Sequence, residues 1–326
     1  MSSQCGPTVF VGGGTPTYLE ADDLHRLLAG VGEALPYAAA EWTVEANPET
    51  VDADIAAALR DGGVTRVSLG MQSAQPELLQ ALERQHSPES VPRAFEHLRA
   101  VGFDDLSLDL IFGIPGQCLK QVQADLEAAL ALEPTHLSVY GLIYEPGTPL
   151  RRRRDQGQVA TVGQDLEADM YLLVQEMLAG RGYAQYEISN WALPGHVCRH
   201  NEVYWLNGNW WPLGPAAAGH AMGTRWRNVP RLKQWLESTD LPPVVDLECL
   251  DGDGRHGEVL MLGLRRLRGV QRARIDAACA TPKRGAKRAG VIQVALQQGL
   301  LEWNDDHLCL TPSGLLLADR VVVDLL

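Results

Sequence analysis

No stretch of the 326 residues stays apolar for the roughly 18 positions that a membrane-spanning helix needs. The opening residues, Met1–Pro7, carry neither a basic segment nor an apolar run, so no export signal is visible and the cytoplasm is the expected location. Cysteine is sparse: Cys5, Cys118, Cys198, Cys249, Cys279 and Cys309 lie at least 30 residues apart, which excludes a CxxC pair or a metal knuckle. They read as reduced, incidental thiols. Basic charge is also in deficit, with 28 Lys and Arg against 41 Asp and Glu and a net charge of −13. Such an acidic chain is not a general nucleic-acid coat, nor does it suit an anionic membrane surface.

What is present is a globular composition, 45% hydrophobic and 21% charged with 32 glycines. It excludes intrinsic disorder and a small disulfide scaffold, and it suffices for one large domain and a smaller one. Residues 8–143 alternate short apolar runs with amphipathic helices. The runs Thr8–Val11, Trp42–Ala46, Arg66–Leu69, Leu106–Ile111 and His136–Tyr140 read as buried parallel strands. Between them, Leu24, Leu27 and Leu28 share a helical face, as do Ile55 and Leu59, then Val91, Phe95 and Leu98, then Val122, Leu126, Ala129 and Leu130. Pro76 suits a first helical turn and Gly102 a helix stop.

Repeated βα units give a parallel α/β fold, either a barrel or an open doubly wound sheet. Polar groups decide between them. Gly12-Gly13-Gly14-Thr15 follows strand one, Glu45 closes strand two, Gln72 follows strand three and Asp109 lies in strand four. Only a barrel brings all these carboxyl ends to one mouth. Strand one begins about seven residues into the chain, and a closed barrel needs more units than can be counted, so an earlier βα unit is missing from the pattern.

Beyond residue 150 the pattern changes. Arg151–Arg154 reads as a solvated loop, and a helix follows with Leu166, Met170, Leu173, Met177 and Leu178 apolar. Residues 191–235 hold six of the eight tryptophans, and Pro242-Pro243 reads as a linker. The last 70 residues read as helix, helix, two short strands and helix, an order that resembles a winged helix. Arg255–Arg288 carries ten basic residues against Glu258 and Asp276. That segment could contact nucleic acid, but a solvated face or docking to acidic protein is the plainer reading.

The glycine loop lacks the lysine of a phosphate-binding P-loop and the spacing of a dinucleotide fingerprint. By itself it is equally a tight turn. Glycines do admit a ligand to bare backbone, Glu45 and Asp109 could accept from a ribose diol or an ammonium, and Arg84 could clamp a carboxylate. Singly these are surface or cap residues; as a set on one rim they point to a ligand site.

The segments FVGGGTPTYL, TVEANP, SLGMQSA, LERQHSP, LDLIFGIPGQ and LSVYGLIYEPGT together resemble the oxygen-independent coproporphyrinogen III oxidase-like family of radical SAM proteins. The resemblance implies a partial (β/α) radical SAM barrel over residues 1–240 and a mainly helical, winged-helix-like domain over 241–326. It also implies that Gly13, Gly14 and Thr15 hold the methionyl end of S-adenosylmethionine, with Glu45, Gln72, Arg84, Asp109 and Ile143 completing the contacts. His200-Asn201-Glu202-Val203-Tyr204-Trp205 is similar to the HNxxYW signature of the family's HemW-type haem chaperones, and GTRWRNVPRL and GEVLMLGLRRLRGV match the same branch. That implies haem binding and delivery to an acceptor protein. An aromatic patch with a histidine suits haem, since rings cover the macrocycle and an imidazole can ligate iron. His200 is the candidate ligand, with His196 and His220 behind it; the alternative for each is a hydrogen-bonded structural residue. Arg225 and Arg227 could pair with propionates or be surface charges.

One departure stands out. The family holds a 4Fe–4S cluster with CxxxCxxC upstream of the glycine loop, where this chain has only Cys5. The cluster needs thiolates, so the chain as written lacks its ligands. The absent motif and the absent βα unit fall at the same place, and a truncated or wrongly placed start accounts for both. Two rival activities remain: a porphyrinogen-oxidising radical enzyme, which needs those ligands, and a barrel hydrolase using Glu45 and Asp109 as acid and base.

Overall fold

The computed structural model describes residues 6–238 and 241–326. Cys5 and the expected domain boundary at 240 lie outside the described residues. Five parallel strands run in sequence order: β1 (Thr8–Val11), β2 (Glu41–Ala46), β3 (Arg66–Gln72), β4 (Asp105–Phe112) and β5 (His136–Gly141). The helices between them are α1 (Ala21–Ala34), α2 (Ala53–Asp61), α3 (Pro76–Ala81), α4 (Ser90–Ala100) and α5 (Leu119–Leu130). Among the described residues the five parallel strands keep the order 1-2-3-4-5 with no switch point between them, so the sheet is of the barrel kind. The expectation of a partial parallel barrel holds.

Apolar burial explains the register. Val44, Val67, Leu69, Leu106, Leu108, Leu110, Leu137 and Val139 are buried along the strands, and Leu24, Leu28, Leu59, Leu98 and Leu126 are buried on the helices. Leu27 departs from its expected face and is 41% exposed. Pro76 opens α3, and Gly102 takes a positive φ just past α4, as a helix stop requires.

After β5 come α6 (Pro149–Asp155), α7 (Gln164–Ala179), β6 (Ala184–Glu187) and β7 (Asn190–Ala192). The arginine run is therefore a helix, not a loop. Thr148 caps it, Pro149 starts it, and Arg151 pairs with Asp155 one turn on at 2.8 Å. β7 runs antiparallel beside β5, and β6 lies beyond β7, so the sheet carries seven strands among the described residues.

The chain divides into two compact units, 1–185 with 189–197, and 186–188 with 198–326. Residues 198–238, grouped with the barrel by sequence, fall in the second unit. That unit contains α8 (Arg199–Trp205), β8 (Ala218–Ala221), β9 (Thr224–Asn228), α9 (Leu232–Leu236) and β10 (Val244–Cys249). The sheet β10-β9-β8 is antiparallel. Then follow α10 (Gly252–Gly263), β11 (Val270–Gln271), α11 (Arg272–Cys279), α12 (Gly285–Gln297), β12 (Leu301–Asn304), β13 (His307–Leu310), α13 (Pro312–Leu315) and α14 (Ala318–Val323). Helices packed on the small sheet β11-β13-β12 give the winged-helix-like arrangement, around a core of Leu260, Leu264, Ile275, Ile292, Leu308 and Val321.

The basic segment is largely taken up by ion pairs within this unit. Arg265 pairs with Glu187, Arg266 with Glu202, Arg272 with Asp306, and Lys283 with Asp251. Arg288 is fully buried against Asp253. Among the described residues no helix is long and apolar enough to cross a membrane.

Candidate functional site

At the carboxyl ends of β2, β3 and β4 lies a cavity of about 210 Å³. Gly14, Thr15, Glu45, Gln72, Arg84 and Asp109 line it, so six of the eight expected binding residues meet in one place. Gly13 joins them through its amide, which donates to Glu45 Oε2 at 3.3 Å. Gly13 and Gly14 both have positive φ, and a Cβ on either would touch nothing within 4 Å. They serve the turn and leave the backbone bare towards the cavity. Ile143 is not brought in; it is 73% exposed and absent from the lining.

The structure adds Asn47, Ser68, Gly70 and His86 to the lining. Ser68 and Gly70 are two residues apart in β3, so strand alternation places them on one face. Ser68 Oγ donates to Asp109 Oδ1 at 3.0 Å, and the Ser138 hydroxyl also hydrogen-bonds that carboxyl. Burial pushes the Asp109 carboxyl above its ordinary range, against the pull of the two hydroxyls and the charge of Arg66. Burial likewise raises Glu45, the Gly13 amide lowers it, and repulsion from Asp109 adds to the rise. Two carboxyls, a guanidinium and a bare glycine loop around one cavity can hold a ligand that carries groups of both charges.

A 4Fe–4S cluster does not fit the residues present. No CxxxCxxC occurs in the sequence, and among the described residues no three His, Cys, Asp or Glu side chains are grouped to hold a metal. Among the described residues, Cys118, Cys198, Cys249, Cys279 and Cys309 are in no disulfide.

In the second unit, the HNxxYW segment forms α8. His200 is buried, and its Nε2 lies 2.8 Å from the Tyr204 hydroxyl. The rings continue as a ladder. His200 meets Tyr204 edge-on at 5.0 Å, Tyr204 meets Trp210 at 4.7 Å, and Trp210 lies 4.8 Å from His220. His220 Nδ1 faces the Gly208 carbonyl at 2.6 Å, and its Nε2 is 3.9 Å from Glu258. Arg225 pairs with the same Glu258 at 2.8 Å and Arg227 pairs with Asp246, so both arginines already have carboxylate partners. His196, in the first unit, lies 3.6 Å from Asp105 at the amino end of β4, away from the strand ends that form the cavity. The exposed apolar groups of the second unit include Trp211, Leu213 and Met222, with Trp211 packed edge-on to Trp226 at 5.4 Å.

The pattern of the Radical SAM superfamily matches residues 3–129, and that of the HemN C-terminal domain matches residues 250–317. A Mycobacterium tuberculosis protein named heme chaperone HemW is 41% identical over 322 residues, covering 98% of this chain and 80% of that protein. The chain belongs to the HemW family. A Bacillus subtilis protein of the same name is 34% identical over 322 residues, covering 96% and 84%. Coproporphyrinogen III oxidase (HemN) from Escherichia coli, described as a radical SAM enzyme, superposes with a TM-score of 0.81 at 20% identity, over 98% of this chain and 77% of that one. That likeness establishes the shared fold.

Proposed function

We propose that this chain binds haem and delivers it to an acceptor protein, and that its barrel cavity takes S-adenosylmethionine. The observation that carries the reading is 41% identity, over 98% of the chain, to a protein named heme chaperone HemW. The His200–Tyr204–Trp210–His220 ladder supports it, because flat rings beside a histidine are the chemistry a porphyrin needs. His200 is the proposed iron ligand. Its Nε2 is engaged by Tyr204, so ligation would require the hydroxyl to let go.

In the cavity, Gly13, Gly14 and Thr15 would receive the methionyl end, and Arg84 its carboxylate. Glu45, Gln72 and Asp109 would take the ammonium and the ribose hydroxyls. Ile143 belongs to this set by resemblance alone. S-Adenosylmethionine supplies a sulfonium and an adenosyl group when bound; the residues described here bind and orient it.

The test is a haem titration of the folded chain, checked first by circular dichroism and followed at the Soret band. Saturable binding is expected. His200→Ala should weaken it or change the iron spectrum, whereas Glu45→Ala should leave both nearly unchanged. A folded sample without saturable binding would end the carrier reading. If binding saturates and His200→Ala behaves as wild type, only the ligand assignment falls.

A further inference from the structure

We infer that Asp125 is a positioning residue for the barrel cavity: through the residues that follow Gln72, and together with His86, it holds Gln72 in a strained backbone conformation that places the Gln72 side chain among Glu45, Arg84 and Asp109. This rests on the reading of the cavity as a ligand site.

The strain begins in the strand. β3 pairs with β4 residue by residue as far as Gly70 and Asp109, then jumps to Gln72 and Leu110, leaving Met71 as an extra residue. Bulges of this kind re-aim side chains beside sites. Gln72 then takes φ +62°, in the left-handed region that favours glycine. The Ser73 amide closes back on the Met71 carbonyl at 2.7 Å, so Gln72 is the middle of a three-residue turn. With a positive central φ this is the rare, strained form. A glutamine stays in such a place only where its surroundings over-determine it.

Two groups do so. Asp125, on α5, is buried and absent from the cavity lining. Its carboxylate accepts from Ser73 Oγ at 2.9 and 3.0 Å, from the Ala74 amide at 2.7 Å and from Gln75 Nε2 at 3.3 Å. Those are the three residues straight after Gln72. Gln117, in the loop after β4, donates to the other oxygen at 3.3 Å. On the preceding side, His86 Nε2 lies 3.0 Å from the Met71 carbonyl, which can only accept, so Nε2 carries the proton. Gln72 is thus bracketed. Gly70 leaves the space its side chain needs, since a Cβ there would stand 2.8 Å from Gln72 Nε2.

No stability argument requires glutamine here, because glycine would make the turn with less strain. The clamp is explained by the position of the Gln72 amide in the cavity. Asp125 does not line the cavity and acts through the turn.

The experiment compares Gln72→Ala, Asp125→Asn and the double variant of the full chain by calorimetric titration with S-adenosylmethionine, alongside thermal unfolding. Loss of one hydrogen-bonding side chain should weaken binding roughly tenfold. Asp125→Asn should give a similar loss, and the double variant should be no weaker than Gln72→Ala. Full additivity, or an Asp125→Asn variant with wild-type affinity while Gln72→Ala loses it, would overturn the inference. Should Asp125→Asn not fold, Ser73→Ala, which removes only one donor, replaces it with a smaller loss expected. A second readout needs no ligand. Gln72→Gly should raise Tm by about 2–4 °C in the wild-type background, and by less beside Asp125→Asn. A Tm no higher than wild type would refute the strain. If neither wild type nor Glu45→Ala binds S-adenosylmethionine, the cavity reading fails, and the Tm comparison still decides whether Asp125 holds a strained Gln72.

Discussion

The carboxylate of Glu45 occupies the space that any side chain on Gly12 would need: an added Cβ would stand 2.6 Å from Oε2, the same oxygen that takes the Gly13 amide. The first glycine of the loop is therefore as much a part of the pocket as the two with positive φ. Gly12→Ala should push aside only the flexible end of Glu45, so Tm should move by no more than about 2 °C. Displacing the carboxylate should nonetheless weaken S-adenosylmethionine binding roughly tenfold. Titration and thermal unfolding of one sample check both halves. Wild-type affinity would separate Gly12 from the pocket.

Arg288 should be the most sensitive position in the C-terminal unit. Its guanidinium is buried and meets Asp253 Oδ1 at 3.1 Å, the Asp253 carbonyl at 2.8 Å, the Leu325 carbonyl at 2.9 Å and Thr281 Oγ1 at 3.0 Å. Arg288→Met would remove these donors at once and leave Asp253 only Arg284 as a basic partner, 3.7 Å from its other oxygen. Calorimetry should show a transition lowered by several degrees. An unchanged profile would mean that the network is not holding α10, α12 and the C-terminus together.

His136 predicts a pH dependence. It is fully buried with Nδ1 2.8 Å from Ser107 Oγ, and burial, with the charges of Arg66 and His196, holds its imidazole well below the usual range. The unfolded chain takes up this proton near pH 6.5 while the fold does not. The stabilisation is complete above that value. It falls as pH drops below about 6.5, by up to about 1.4 kcal/mol per pH unit. Glu45, Asp109 and Asp125, raised by burial, work in the opposite sense nearer their ordinary range and temper the loss at lower pH. Urea midpoints between pH 7.5 and 5.5 should show the slope, and His136→Gln should flatten it. Parallel slopes would contradict the assignment.

Cluster chemistry gives a sharp negative. These 326 residues, reconstituted anaerobically with iron and sulfide, should hold no stoichiometric 4Fe–4S cluster, since no three cysteines stand at CxxxCxxC spacing. Under dithionite they should form no 5′-deoxyadenosine from S-adenosylmethionine. Iron and sulfide at four per chain, or the deoxynucleoside, would refute this.

Much of the barrel is legible from local pattern. Each of the five expected strands lies within an observed one, because parallel strands are short apolar runs with sharp ends, although β1, expected to be buried, is only half-buried. The pocket is legible for the same reason: its polar groups follow those ends. Asp125 could have been noticed too, as a carboxylate set on the apolar stripe of Val122, Leu126 and Ala129. The arginine helix was hidden by charge, although Thr148-Pro149 is a start signal and arginine a good helix former. What local pattern cannot carry is distant pairing. Ile188 donates to the Arg265 carbonyl and Leu267 to that of Tyr186, which ties 186–188 to the second unit across nearly 80 residues. The burial of His200 is equally silent in sequence, since Arg199–Trp205 is too short and too polar to show a period.

That burial sets the last prediction. His200 Nε2 and the Tyr204 hydroxyl are 2.8 Å apart, one turn apart on α8. If His200 ligates haem iron, the iron and Tyr204 compete for one nitrogen. Tyr204→Phe keeps the ring that packs edge-on against His200 and Trp210 and removes only the competing hydroxyl. A neutral hydrogen bond is worth about 0.5–1.5 kcal/mol net, so haem should bind roughly 2- to 12-fold more tightly to this variant. Its Soret position should match wild type, because the ligand is the same. In His200→Ala the effect of Tyr204→Phe should vanish. Haem titrations of the two single variants and the double variant decide it. Weaker binding to Tyr204→Phe would show that the hydroxyl assists rather than competes, and an equal effect in the His200→Ala background would remove His200 from the iron.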